Sequence, residues 1–560
     1  MGIIITPMPS LPVSRRQFAA AIPTALTAQT SSSSRFDDSL VSRHDAYLDN
    51  LLSKQITSPS DPNRGNFAGE YGIFFPGSPG GIIDSSVAAL LCPQSRHHQS
   101  AALIERIRLA AGWITRNQLP SGNFDLPITN FNSPPDTAFI THSLGAAALL
   151  ARQGNLAEVS ALIEPILRRM AAALAVGGVH TPNHRWVVCE ALAQMYELFK
   201  EDSYLRRIDQ WLNETIDIDA DGQFNERSTT IYNAVTDRAL IVLAHKLNRP
   251  GLLDPVRRNL DAMLYLLHAD GEVVTEISTR QDAFERGDMR RYWFPLHYLA
   301  VLDSNPRYAT LTRAYSGHAS LSLSMIYPQL RQPLPAAAPL PDNYVRELPA
   351  IRAARIRRGP RSASILWNGV NRFFAFRNGA CVIEGVRLAS AFFGKGQFVP
   401  TSMKKSGDAY HLAQILEGPY YQPIDPPRPI AAQDYNPTRP LRRRSEVCRL
   451  TQTATIRETP TGFEIEITAQ GTPNVPIAIE ILFRQGTALD GVSPATTADS
   501  FLLPAGFATA RSGSDIIRIG PGLGLHRWTQ LRGAAPKLPG PSIYLCALTP
   551  LRHTLQIDCP

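Results

Sequence analysis

Four glycine-bearing loops, Pro120-Ser-Gly-Asn-Phe, Val176-Gly-Gly-Val-His, Asp219-Ala-Asp-Gly-Gln-Phe and His268-Ala-Asp-Gly-Glu-Val, set Gly122, Gly177, Gly222 and Gly271 about 45 to 55 residues apart. Around them apolar residues recur at helical spacing: Leu40, Tyr47, Leu51 and Leu52, then Leu103, Ile107, Ala110 and Ile114, then Phe139, Leu144, Leu149 and Leu150. The interval suits one helix out, a short turn, one helix back and a longer loop. A single helical hairpin cannot hide its apolar stripe, whereas stacked hairpins can, and closing the stack into a ring removes its exposed ends. Residues 36–327 are therefore expected to form an (α/α) toroid, an incomplete or complete barrel, with its longer loops at one end, where a cleft belongs.

Beyond that point the period changes. Residues 328–345 open with Pro-Gln-Leu-Arg-Gln-Pro-Leu-Pro-Ala-Ala-Ala-Pro-Leu-Pro-Asp, too rich in proline for a helix interior, and read as an extended linker. Within residues 346–560, Phe463-Glu-Ile-Glu-Ile alternates strictly, and the segments from Ile477, Ile516 and Ile543 are strand-like, which predicts an antiparallel β-sandwich domain. A chain of 560 residues exceeds what one core usually supports, in keeping with two domains.

Residues 1–35 carry Ser14-Arg15-Arg16-Gln17-Phe18, a short apolar stretch from Ala19 to Ala28 and a run of serines, the order of a twin-arginine-type export signal. Export would deliver the protein to a bacterial periplasm or outside the cell. No apolar run is long enough to span a bilayer. The 56 Lys+Arg against 48 Asp+Glu favour an anionic partner without naming it. The basic clusters Arg352 to Arg361 and Arg442 to Arg444 have no interleaved aromatic platform, so they are expected on solvated loops or charge-protected edge strands, and no nucleic-acid partner is expected. Six scattered cysteines without a CxxC pair exclude zinc-knuckle and thiol-redox motifs; Cys546 and Cys559 are open to pairing or to remaining free.

The chemistry-bearing residues cluster at two expected helix starts. Thr181 is suited to N-cap and Pro182 to the first helical position, so Asn183 and His184 fall in the first turn, near unpaired N–H groups and the positive end of the helix dipole. Ser228 is a second N-cap candidate, with Tyr232 just beyond it. An amide, an imidazole and a phenol are the groups needed to break a uronic-acid glycoside by β-elimination. The amide bonds the uronate carboxylate while charge spreads into it, and the other two move protons.

Asn183-His184 followed by Glu190-Ala191, then Asp221-Gly222, Glu226, Ser228 and Tyr232, resembles the Asn-His…Glu-Ala and Asp-Gly…Glu-Gly-Ser…Tyr pattern of the heparinase II/III-like and alginate lyase superfamily. The resemblance implies an α/α toroid followed by an antiparallel β domain, and cleavage of uronate polysaccharides without metal-activated water. It implies Asn183 as the carboxylate-neutralising group and His184 and Tyr232 as base and acid, in an order left open. Arg227 stands where that pattern has glycine, and the step from Glu226 to Tyr232 is one residue longer. A further catalytic group is sought at His297 or at Tyr410 and His411.

Around these, Arg238, Arg280 and Arg290 are candidates to hold substrate carboxylates. Asn130 and Asn132 are candidates for sugar subsites, Trp186 and Trp293 for stacking on a pyranose, and Glu190 and Glu226 for orienting the catalytic groups. Asp217, Asp219 and Asp221 begin like a calcium loop, but Ser228 stands where its bidentate glutamate belongs, so no metal or other cofactor is expected to be required. The expected function is that of a polysaccharide lyase acting on an acidic polysaccharide or oligosaccharide. The alternatives are a toroidal glycoside hydrolase using acids such as Asp136, Asp221, Glu226 or Glu276, and a non-catalytic glycan-binding protein.

Overall fold

The computed structural model describes residues 35–69 and 71–560, so the expected leader lies outside the described residues apart from Arg35. Twelve α-helices come first among these residues: α1 (Asp38–Lys54), α2 (Gly77–Leu91), α3 (Ala101–Asn117), α4 (Pro134–Gln153), α5 (Ala157–Val176), α6 (Pro182–Phe199), α7 (Asp202–Leu212), α8 (Tyr232–Leu247), α9 (Leu253–Met263), α10 (Trp293–Leu302), α11 (Pro306–Ala314) and α12 (Leu321–Ile326). Their composition sorts them into two layers. α4 and α6 bury most of their surface, as Ala- and Leu-rich helices must when they are enclosed, whereas α7 buries only Tyr204 and Ile208. α2, α4, α6, α8 and α10 pack in succession as the inner ring, each against an outer partner. The short α12 comes back against α1, α2 and α4, where Ser322 donates to Asp84 at 3.0 Å.

Three of the four glycine loops are one recurring turn. The amides of Leu119, Asp219 and His268 donate to the carbonyls of Asn123, Gln223 and Glu272, and Gly122, Gly222 and Gly271 donate back to the first residue of each turn. Those glycines sit at φ 92°, 82° and 85°, a region L side chains rarely adopt. Gly177 differs: at φ −68° it ends α5, because only a few residues remain before Pro182 starts α6.

The inner helices run the same way, so their N-termini and the loops before them share one end of the ring. The second domain docks on that end. Asp221 Oδ2 accepts from Ile351 N (2.9 Å), Arg227 Nη2 donates to Ala350 O (3.1 Å) and the Tyr344 hydroxyl donates to Tyr265 O (2.7 Å). Leu348, Ile351, Ala353 and Leu366 belong to the helical core. Glu272 lies between Arg377 (2.6 Å) and Arg484 (2.9 Å). Burial pushes its carboxyl up, and the two guanidinium groups outweigh this to hold it at about 2.

The proline-rich segment is pinned along α11: Arg313 Nη2 donates to Pro335 O (2.6 Å) and Thr310 Oγ1 to Ala338 O (2.7 Å). The first strand of the second domain, Asn343–Leu348, starts inside the stretch expected to be linker.

Two sheets face each other over a core that includes Ile465, Ile467, Ile479, Ile481, Leu545 and Leu555. One has nine strands, from Ser493–Pro494 at one edge to Asn343–Leu348 at the other; the second has eight, from Ala488–Asp490 to Ser402–Ser406. The Phe463 alternation pairs in register with Ile557 and Leu555. All strand pairs are antiparallel except Ser500–Leu502 with Ser542–Leu548. One expectation is corrected here. In strand Ala353–Arg358, Arg355 and Arg357 are buried, because alternation turns them with Ala353 toward the helical domain while Ala354 and Ile356 face the sandwich. All six cysteines are free.

Candidate active site

α6 begins as its sequence suggests, but it is capped from elsewhere. Thr181 has the extended backbone of an N-cap, yet its hydroxyl donates to Asn183 Oδ1 (2.8 Å) instead of capping the helix. The Asn183 N–H is taken by Glu226 Oε1 from the next loop, at 3.0 Å. The Asn183 side chain is therefore held through its oxygen, and its Nδ2 is buried with no hydrogen-bond partner among the described residues. Asn183 is 3 % exposed and His184 8 %. The imidazole stands edge-on to Phe139 (5.9 Å) and His180 (4.7 Å), with Nδ1 unpartnered. Burial, then the His180 and Arg280 charges, push His184 down to about 4 against the pull of Asp136, so it is neutral at physiological pH.

Tyr232 is the first residue of α8. Ser228 Oγ accepts its N–H (3.1 Å) and donates to Asp282 Oδ1 (3.0 Å). Asp282 also accepts from Thr230 N and Oγ1, both at 3.0 Å, and Thr279 Oγ1 donates to Glu226 O (2.7 Å). The residues between, Arg280 and Gln281, are thus fixed from both sides. Gln281 Nε2 donates to Tyr232 Oη at 2.7 Å. The Arg280 guanidinium lies 5.5 Å from the centre of the Tyr232 ring, and its Nε is 3.5 Å from Glu226 Oε2. Arg227, in the place of the pattern's glycine, adopts φ 44°, the conformation glycine would favour.

Arg280 thereby ties Tyr232 to Glu226, Asn183 and His184, and these five form one group. Beside it, Asn130 ties a small hairpin, Phe124–Leu126 with Asn130–Ser133, to α4, and Asn132 ties it to the loop that precedes it. Asn130 Nδ2 donates to Asp136 (2.8 Å), and Asn132 Oδ1 accepts from Ser121 (2.6 Å) and Asn123 (3.1 Å).

Deeper in the ring lies a layer that sequence reasoning only partly found. Glu190, 1 % exposed, accepts from His142 Nδ1 (2.6 Å) and from Arg238 Nη2 (3.0 Å). Burial pushes Glu190 up, but the Arg238 and His142 charges win and hold it at about 2. Burial and Arg238 push His142 down despite Glu190, and since a carboxylate only accepts, the proton is on Nδ1. His142 was missed. Its signal was that His142, Glu190 and Arg238 each follow a polar residue at a helix start, Asp136, Asn183 and Tyr232, by about two turns.

Several candidates are elsewhere or already engaged. Arg238 is committed to Glu190 and is not a free carboxylate clamp. Trp186 is 0 % exposed, with Nε1 on Asp217 Oδ1 at 2.8 Å, so it cannot stack on a sugar; one face of α6 must fill the ring. Arg290 is bonded to Asp288 and lines a separate groove of about 830 Å³ between the domains. His297 is buried edge-on to Trp293, itself also buried, and burial pushes it to about 4. Tyr410, 2 % exposed, and His411, on Thr455 Oγ1 (3.0 Å), belong to a β-strand of the second domain, paired between Ser402–Ser406 and Arg444–Glu458. The calcium-like carboxylates have partners within the chain: Asp217 accepts from Arg185 and Trp186, Asp219 from the amides of Asp221 and Gln223, and Asp221 from Ile351. No three metal-ligating side chains cluster among the described residues.

No family model matches the chain, and no curated protein matches its sequence. Solved structures do match its fold. Heparinase III aligns over 95% of this chain and 88% of its own, with TM-score 0.55 and 11% identity. A chondroitin AC lyase of Streptomyces coelicolor A3, solved with chondroitin sulphate, aligns over 94% and 80%, with TM-score 0.54 and 11% identity. A Paenibacillus xanthan lyase aligns over 93% of this chain and 57% of its own, with TM-score 0.54 and 10% identity.

Proposed function

Since the chain has the fold of the polysaccharide lyases, we propose that it cleaves a uronic-acid-containing glycan by β-elimination at Asn183, His184 and Tyr232. The observation that carries this reading is the Asn183 amide, whose nitrogen is oriented by Thr181 and left without an acceptor. A uronate carboxylate supplies one. Arg280, held by Glu226 only at 3.5 Å and partly exposed, is available to the same carboxylate. Together they draw charge out of C5 as its proton leaves.

The neutral His184 imidazole takes the C5 proton. The C5–H electron pair becomes the C4–C5 double bond, the C4–O4 bond breaks with its pair on O4, and Tyr232 protonates that oxygen. Gln281 donates to Tyr232 Oη, which leaves the phenol's own proton free to give. One chain end becomes a C4–C5 unsaturated uronate, and the step calls for no cofactor. Of the acids named for a hydrolase, Asp136 accepts from Asn130 and Ser133, Asp221 from Ile351 and Glu226 from Asn183, while Glu276 is buried with no hydrogen-bond partner for its Oε2 among the described residues. The export-type leader supports action in the periplasm or outside the cell, where acidic polysaccharides are met.

Incubation with a panel of acidic polysaccharides, read by ultraviolet absorbance of the unsaturated product, tests the reaction. Asn183→Ala is expected to lower kcat by about 10²–10³ with folding retained. Chain cleavage without absorbance, or a variant at near wild-type rate, refutes the reading.

A further inference from the structure

A hollow of about 170 Å³ is lined by Asp136 and Phe139 of α4, and Phe139 also packs against the His184 imidazole. The Phe139 ring lines the hollow and stands edge-on to His184, with centroids 5.9 Å apart. Phe75, Pro76, Leu126 and Ile140 complete an apolar lining at the starts of α2 and α4. Among the described residues, the charged groups lining it are two carboxylates, Asp125 and Asp136, and no Lys or Arg lines it. The start of α2 brings a partial positive charge to the same place, but two full negative charges face it. A cavity of about 150 Å³ with apolar walls admits a benzene-sized ring, so the hollow matches one pyranose in size.

Building on the lyase reading, we infer that this hollow is the subsite for the sugar next to the cleaved uronate, and that it takes a neutral pyranose presenting an apolar face or a methyl-bearing substituent, such as a 6-deoxy or N-acetyl group. The anionic ring belongs beside Arg280 and Asn183. Its neighbour enters a pocket whose two carboxylates repel a second uronate or an N-sulfate. The substrate class is then an alternating copolymer of uronate and uncharged sugar, not a homopolymeric uronate.

The test uses the full chain on matched polymers: an unsulfated glucuronate/N-acetylhexosamine copolymer, a glucuronate/6-deoxyhexose copolymer, a polyglucuronate, a polymannuronate and an N-sulfated copolymer. At least one neutral-neighbour polymer is expected to give kcat/KM about tenfold or more above the polyuronates and the N-sulfated polymer. Asp125→Asn removes one charge yet keeps an acceptor for Asn132 N, which Asp125 Oδ1 now accepts at 2.6 Å, and should shrink that gap severalfold. A polyuronate or N-sulfated polymer cleaved as fast in wild type, or a ratio unmoved by Asp125→Asn, overturns the subsite. Absence of unsaturated product from every polymer sinks the lyase reading instead.

Discussion

Replacing Glu190 by Gln tests whether the layer beneath the proposed site holds the ring together. Glu190 stands at about 2 against an ordinary glutamate value of 4.5. At 1.36 kcal/mol per tenfold, that difference corresponds to about 3 kcal/mol of stability. A second route gives a similar figure: breaking a buried ion pair by removing one partner costs about 3–5 kcal/mol. The lower end applies here, because the Arg238 and His142 side chains are each about a fifth exposed and regain some hydration. The carboxyl is depressed in the folded state, so its stabilisation is complete above 4.5 and is lost as pH falls through about 2. Denaturant unfolding followed by tryptophan fluorescence suits the assay, since Trp113, Trp186, Trp211 and Trp293 report on the helical domain. Glu190→Gln should be less stable than wild type by about 3 kcal/mol at pH 7, and the gap should narrow to about 1.5 kcal/mol at pH 3. Equal stability at pH 7, or a gap indifferent to acid, would refute the reasoning.

Further outcomes follow from the same geometry. If His184 is the base, kcat/KM should fall on acidification with a limb near pH 4, below the ordinary histidine range, because the protonated ring cannot accept the C5 proton; a limb near 6.5 would contradict its assigned environment. Trp186→Phe, which loses the bond to Asp217, should cost about 1 kcal/mol of stability and leave KM unchanged; a large rise in KM would restore it as a sugar platform. Glu272→Ala strips Arg377 and Arg484 of their common partner across the domain interface, and should speed proteolysis within residues 332–342; unaltered cleavage would mean the apolar interface suffices.

Much of the architecture was legible because it is written in short-range patterns. Helical spacing of Leu and Ala, turn glycines, a proline-rich break and strict alternation after it each act within a few residues, and they mark the order of helical ring, break and sheets, though Gly177 ends a helix instead of turning at left-handed φ and Asn343–Leu348 starts inside the expected linker. At the candidate site, Thr181-Pro182 fixes where α6 begins, and so sets Asn183 and His184 in its first turn. Trp186 was misjudged because a stripe of apolar and aromatic residues looks the same whether it lines a cleft or fills a ring. Arg238 and Arg290 were misjudged because an arginine in sequence does not reveal that a carboxylate already holds it.

What the sequence by itself determined was where helices start, where they turn and which polar groups stand at their ends. What only the tertiary structure decided was who meets whom across the ring. Glu226 meets Asn183 from 43 residues away, His142 and Arg238 each meet Glu190 from 48, Gln281 meets Tyr232 from 49 and Asp282 meets Ser228 from 54. Those separations approximate one helical hairpin. Local preferences fade within a few residues, whereas these bonds exist only once neighbouring hairpins stack, so the pairing that shapes the site is a property of the closed ring.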